Sequence, residues 1–147
     1  MTPTQKAADQ SLASRVAAAM FERDSASRAL QMVIEEVRPG FARVRMLVRA
    51  DMVNGHRICH GGMVFSLADS AFAFACNSHN RVAVAAACSI DFVSPAREGD
   101  VLTAEAVEKT HDGRNGIYDV RVTNGDERTV AMFRGRSRAR EEKIIDD

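Results

Sequence analysis

Residues 58–78 read ICHGGMVFSLADSAFAFACNS, and between Met63 and Cys76 the run is almost all apolar, with one ionisable residue, Asp69, in its middle. Two glycines, Gly61 and Gly62, open it directly after His60. As a helix from Gly61 to about Asn77 it would be roughly 25 Å long at 1.5 Å per residue. Its apolar residues Met63, Val64, Phe65, Leu67, Ala68, Ala71, Phe72, Phe74 and Ala75 point in every direction, so the helix must be enclosed.

The flanking sequence supplies the enclosure. Upstream, Thr2 and Pro3 read as a helix start, and Leu12, Val16, Ala19 and Met20 recur at helical spacing to about Arg23. DSASRAL, from Asp24, can add a short helical turn. From Gln31 the period becomes two: MVIEEV, Pro39-Gly40, then FARVRMLVRA, with Ala42, Val44, Met46 and Val48 on one face and Arg43, Arg45 and Arg49 on the other, a hairpin. Downstream come VAVAAACSIDFV, VLTAEAVEKT, GIYDVRVTN and RTVAMFRGRSRA, separated by the turn-forming SPAREGD, HDGRN and NGDE. EEKIIDD reads as a frayed tail. Helix, two strands, one long apolar helix and four strands make an α+β fold with an antiparallel sheet wrapped around one central helix, the hotdog arrangement, with a partner over the remaining face.

At 147 residues the chain suits one domain, with a core over about 25–140 and an N-terminal helix over about 3–23. A formal net charge of zero offers no broad attraction to nucleic acid or membrane, and no stretch is long enough to span a bilayer. The three cysteines, Cys59, Cys76 and Cys88, argue against a disulfide scaffold and place the chain in a reducing cytoplasm. HRICH lacks the second cysteine of a haem-attachment motif, and no acidic or sulfur cluster joins His56 and His60, so no metal is expected.

The candidate site begins at Gly61 and Gly62. Glycines at a helix start let a substrate approach the backbone, and the unpaired N–H groups and dipole of the first turn suit an oxyanion. Asp69 is the second element, because a carboxylate among Leu67, Ala68, Ala71 and Phe72 is either paired or used. It lies 69 − 61 = 8 residues beyond Gly61, about 12 Å along a straight helix. One chain's Asp69 therefore does not act on a carbonyl held at its own Gly61. Two such helices antiparallel across a two-fold axis remove the difficulty, which predicts a homodimer with composite sites.

The run from Asn54 through HGG and FSLADSAFAFACNS resembles the phenylacetic-acid-degradation-type hotdog thioesterases, and CSIDFVSPAREGD and GIYDVRV match that family's later strands, so that about residues 20–138 are covered. The resemblance implies hydrolysis of an acyl-CoA thioester, with phenylacetyl-CoA or a ring-hydroxylated form as substrate and no cofactor beyond the coenzyme A it carries. It implies that Asp69 is the base or nucleophile, that the Gly61 N–H polarises the carbonyl, that Asn54 helps hold carbonyl or water, and that His60 shapes the loop. It also implies a dimer of dimers. Relatives place a Ser or Thr on the strand after the helix, where this chain has Ala85-Ala86-Ala87, with Ser89 the nearest hydroxyl on that strand; Ser70, beside Asp69, is a substitute. Phe65, Phe72 and Phe74 wall an acyl pocket or are plain core. Arg134, Arg136, Arg138 and Arg140 fall on one strand face, to meet coenzyme A phosphates or simply to charge the surface.

Two rivals stand beside this reading. A hotdog enoyl-CoA hydratase or dehydratase would use His60 with Asp69. A non-catalytic acyl-CoA-binding module would bind the esters and turn none over.

Overall fold

The computed structural model describes all residues, 1–147. Helix α1 (Pro3–Arg23) starts where Thr2 Oγ1 accepts the Gln5 N–H at 3.1 Å, with Pro3 in the first turn. Its buried face is shifted from the expected one. Ala13, Val16 and Ala17 are buried and Met20 half-buried, while Leu12 and Ala19 lie at the flanks. The two alanines let α1 sit close on the first strand, which larger side chains would not allow. A short helix, α2 (Ser25–Ala29), follows at once, capped by Asp24.

Strands β1 (Val33–Arg38) and β2 (Phe41–Leu47) form the expected hairpin, and Ala42, Val44, Met46 and Val48 are all buried. A single 3₁₀ turn (Ala50–Met52) and a loop lead into the long helix α3 (Gly61–Cys76). Then come β3 (Ala83–Phe92), β4 (Val101–Asp112), β5 (Asn115–Thr123) and β6 (Thr129–Ala139). All pairings are antiparallel, in the order β1-β2-β4-β5-β6-β3, so β1 and β3 are the edges. The β4–β5 turn is tighter than expected. The ladder runs on to Asp112 and Asn115, leaving Gly113 and Arg114 in the turn, with Gly113 at φ +59.

Helix α3 touches all six strands, which only a sheet curved around it permits. At Gly135 of β6 the approach is tight, since a Cβ there would lie 2.7 Å from the Phe72 ring. The helix is not apolar all round. Val64, Leu67, Ala68, Ala71, Phe72, Phe74 and Ala75 are buried, whereas Phe65, Ser66, Asp69, Ser70 and Ala73 form a half-open strip.

The chain end corrects a second expectation, because the EEKIIDD segment is tied down. Asn80 Oδ1 accepts the Ile144 and Ile145 N–H groups at 3.1 and 3.0 Å, and its Nδ2 donates to the Ile145 carbonyl at 2.9 Å. No helix is long and apolar enough to cross a membrane.

Candidate active site

The loop before α3 is built to present the helix start. The Cys59 N–H donates to Ala96 O and the His60 N–H to Met52 O, both at 2.7 Å. Asn54 Oδ1 accepts from the His56 and Ile58 N–H groups at 2.9 and 3.2 Å, so its oxygen orders the loop while its Nδ2 stays unengaged. His60 is the cap of α3: its Nδ1 accepts the Gly62 N–H at 3.2 Å. The Met63 and Val64 N–H groups both return to the His60 carbonyl. Only the Gly61 N–H at this helix start is left without an acceptor, at the positive end of the helix.

That free amide opens onto a cleft lined by Asn54, Ile58, Gly61, Phe92 and Val130. A Cβ on Gly61 would stand 3.1 Å from the tip of the Phe92 ring, so glycine keeps the amide approachable. Gly62 has a different part, since its N–H is committed to His60 and its carbonyl accepts the Ser66 hydroxyl at 2.9 Å.

Asp69 lies in a separate cavity of about 220 Å³, shared with Asp24, Ser27, Leu30, Met32, Ser66, Ser70 and Ala73. Its carboxylate makes no hydrogen bond or ion pair within the chain. Burial raises its pKa above the ordinary carboxylate value, and the charge of Asp24 raises it further. Within one chain, then, the free Gly61 amide with Asn54 and the Asp69 carboxylate line different cavities on the same helix.

Phe72 and Phe74 are fully buried core, stacked against Tyr118 and Phe133 and against Phe21. Phe65 is half-buried, its ring edge on to Phe133 at 5.3 Å, and it lines neither cavity. The arginine row lies on the sheet face turned away from α3. Arg134 is clamped by Asp119, with Nε and Nη2 at 2.6 and 2.9 Å from its two oxygens, whereas the exposed Arg136 side chain makes no ion pair or hydrogen bond. Strand β3 pairs only with β6, and residues 84–89 with Asp91 and Phe92 are exposed.

Sequence reasoning missed Asp24, Ser27 and Phe92. The first two carry a local signal, the D-x-x-S pattern of an N-cap, and Asp24 Oδ1 does accept the Ser27 N–H at 2.9 Å. Their approach to α3, across 43 positions between Ser27 and Ser70, has no local signature.

Known proteins resemble the chain over most of its length. Residues 56–131 match the model of the thioesterase superfamily. The chain is 50% identical over 119 residues to the acyl-coenzyme A thioesterase PaaI of Escherichia coli, covering 81% of this chain and 85% of that one. The solved structure of E. coli PaaI, from the phenylacetic acid degradation operon, superposes with a TM-score of 0.90 at 46% identity, over 91% of this chain and 97% of that chain. A mutant of the phenylacetic acid degradation protein PaaI from Thermus thermophilus gives 0.75 at 37% identity, over 78% and 98%. The chain belongs to the thioesterase superfamily, with the hotdog fold, and is a thioester hydrolase.

Proposed function

We propose that the protein hydrolyses acyl-CoA thioesters, phenylacetyl-CoA or a ring-hydroxylated form of it foremost, to the free acid and coenzyme A. The observation that carries the reading is the pairing of two unsatisfied groups on one helix: the Gly61 N–H, without an acceptor, and the desolvated Asp69 carboxylate, without a donor. No fully buried side-chain nitrogen or oxygen of the chain lacks a hydrogen-bond partner, so a half-buried carboxylate without a donor stands out.

In this reading Asp69 is the general base. Partial burial raises its pKa and so makes it a stronger base than a surface aspartate. It takes a proton from water as the water oxygen bonds to the thioester carbonyl carbon. The carbonyl oxygen becomes an oxyanion held by the Gly61 N–H, with Asn54 Nδ2 as second donor. Collapse of the tetrahedral intermediate breaks the carbon–sulfur bond, and the proton held by Asp69 passes to the departing sulfur. Base, oxyanion donor and water suffice. Coenzyme A arrives as part of the substrate, and Arg136, an exposed member of the arginine row without an ion pair, meets its phosphates.

The site is composite. A long, apolar, uncovered edge such as β3, with Val84, Phe92 and the adjoining Val93 exposed at 43%, 56% and 60%, invites pairing with a second copy. That pairing lays the two α3 helices antiparallel, with the Asp69 of one protomer near the helix start of the other. Leu47, Val107 and Met132, exposed on the outer sheet face, support packing of two dimers into a tetramer. Three unpaired cysteines favour a cytoplasmic setting.

The test is thiol release from phenylacetyl-CoA by the wild type and by Asp69→Asn. The expected result is robust wild-type turnover that falls at least about a hundredfold, roughly 2.7 kcal/mol of barrier, in the variant. Equal turnover by both would exclude Asp69 as base. Loss of enoyl absorbance from crotonyl-CoA without thiol release would instead favour the hydratase, and binding without any turnover the non-catalytic module. For the composite site, activity per subunit should fall on dilution in step with dissociation of the dimer; a fully active monomer would refute it.

A further inference from the structure

A water that attacks a carbonyl carbon must aim a lone pair at it, so both of its hydrogens need acceptors. Asp69 supplies one. The strand after α3 supplies no hydroxyl at Ala85, Ala86 or Ala87. The cavity that holds Asp69 does contain two linked hydroxyls, those of Ser27 and Ser70.

Their hydrogen bonds fix a direction. The Ser27 hydroxyl donates to Asp24 Oδ2 at 2.6 Å, while its own N–H donates to Asp24 Oδ1 at 2.9 Å. The Ser27 and Ser70 oxygens lie 2.8 Å apart. A hydroxyl has a single hydrogen, and that of Ser27 is committed to a carboxylate, which can only accept. The hydrogen between the two serines must therefore come from Ser70. Ser70 Oγ is left with lone pairs alone for the cavity, one residue along α3 from Asp69. Ser27 is 2% exposed, so no solvent competes for its hydrogen.

We propose that Ser70 Oγ is the second acceptor of the attacking water, and that Ser27 and Asp24 are positioning residues that hold Ser70 in its acceptor-only state. The proposal rests on the reading of Asp69 as the base and adds what orients the water that Asp69 deprotonates. It also gives the α1–α2 junction a part in the chemistry: Asp24 caps α2 with one oxygen and polarises the relay with the other. Without Ser27, the Ser70 hydrogen is free to turn toward Asp69 or the water and compete for the same lone pairs.

The test is a double-mutant cycle read by thiol release from phenylacetyl-CoA at a pH where Asp69 is ionised, with Asp69→Asn as reference. Ser70→Ala and Ser27→Ala should each lower kcat by about tenfold with KM unchanged, the size of one hydrogen bond made in the transition state. The double variant should be no slower than Ser70→Ala alone, because Ser27 acts only through Ser70. Ser70→Thr, which keeps the hydroxyl, should retain most of kcat. If Ser27→Ala does not fold, Asp24→Asn breaks the same link while keeping an equally good helix cap. An unchanged kcat in Ser27→Ala or Ser70→Ala, or losses that multiply in the double variant, would overturn the relay while Asp69→Asn stays inactive. Full turnover by Asp69→Asn would remove the base itself, a separate failure.

Discussion

Asp69 and Glu108 are both half-buried carboxylates on elements of one core, and they are treated in opposite ways. Glu108 Oε1 accepts the Tyr118 hydroxyl at 2.7 Å and meets His79 Nε2 at 3.0 Å, beside the C-terminal end of α3. Desolvation pushes its pKa up, but the hydrogen bonds from Tyr118 and His79 outweigh it and hold the group below its ordinary value. Asp69 has the burial without the donors, and its pKa is raised. The same division marks the two ends of α3. At the C-terminal end, Asn77 accepts from the Ala83 N–H and donates to the Ala73 and Ala83 carbonyls, and the Ser78 hydroxyl bonds Ala75 O and the Gly40 N–H. At the N-terminal end, the Gly61 N–H and Asn54 Nδ2 are left open. A polar group whose bonds are complete holds the fold; one kept short of partners is available to a substrate.

The sharpest way to break this contrast is to neutralise each carboxylate in turn. Asp69→Asn should abolish turnover without lowering the melting temperature, since it removes a desolvated charge that has no partner. Glu108→Gln should do the reverse, costing about 1–3 kcal/mol of unfolding free energy through its weakened bond to the buried Tyr118 hydroxyl, with kcat unchanged. Denaturant melts and single-substrate kinetics on the same preparations decide both. A Glu108→Gln enzyme that is stable and inactive would invert the assignment.

Titration sharpens the contrast further. With its pKa raised, folded Asp69 keeps a proton that the unfolded chain has already lost, so its contribution to stability falls as pH rises from 3.8 through the folded value. If Asp69 is the base, kcat/KM should rise over that same window. Glu108, held low, stabilises the fold above 4.5, and that contribution is lost as pH falls through its folded value. Activity should thus decline on acidification at a pH above the ordinary aspartate range, before the fold weakens. Coincident loss of activity and fold would mean that the acid limb reports unfolding and not Asp69.

The layout of elements was legible in the sequence because it is written in local periodicity. The alternation in FARVRMLVRA and the apolar run of α3 each announce their element without reference to anything distant. Gly61 and Asp69 stood out as candidates for the same reason, since an acid in an apolar helix and glycines at its start are both local anomalies. What was not legible depends on side chains far apart along the chain. Asn80 fastens Ile144 and Ile145 across some 65 positions, so the tail read as frayed. Ser27 meets Ser70, and Arg134 meets Asp119, through contacts that only the folded sheet creates. The displaced face of α1 was hidden for another reason, because alanine carries too weak a hydrophobic signal to mark which side packs.

The arginine row applies the same distinction to binding, where the effect is smallest. Arg134 and Arg136 are two residues apart on one exposed face and identical in chemistry, but Asp119 already occupies the fork of Arg134. A guanidinium that must release a carboxylate to meet a phosphate gains little from the exchange, so Arg134→Ala should change KM by less than about twofold. Arg136 has no such partner, and Arg136→Ala should raise KM for an acyl-CoA by about three- to tenfold with kcat unchanged. The difference should shrink as ionic strength rises, because an exposed charge contact is screened within about 10 Å at 0.1 M salt. Asp119→Asn gives the converse: releasing Arg134 should lower KM slightly in the wild-type background and partly rescue Arg136→Ala. If both arginine variants raise KM equally, pairing within the chain does not decide which arginine the substrate meets, and the rule drawn from Asp69 and Glu108 stops at the surface.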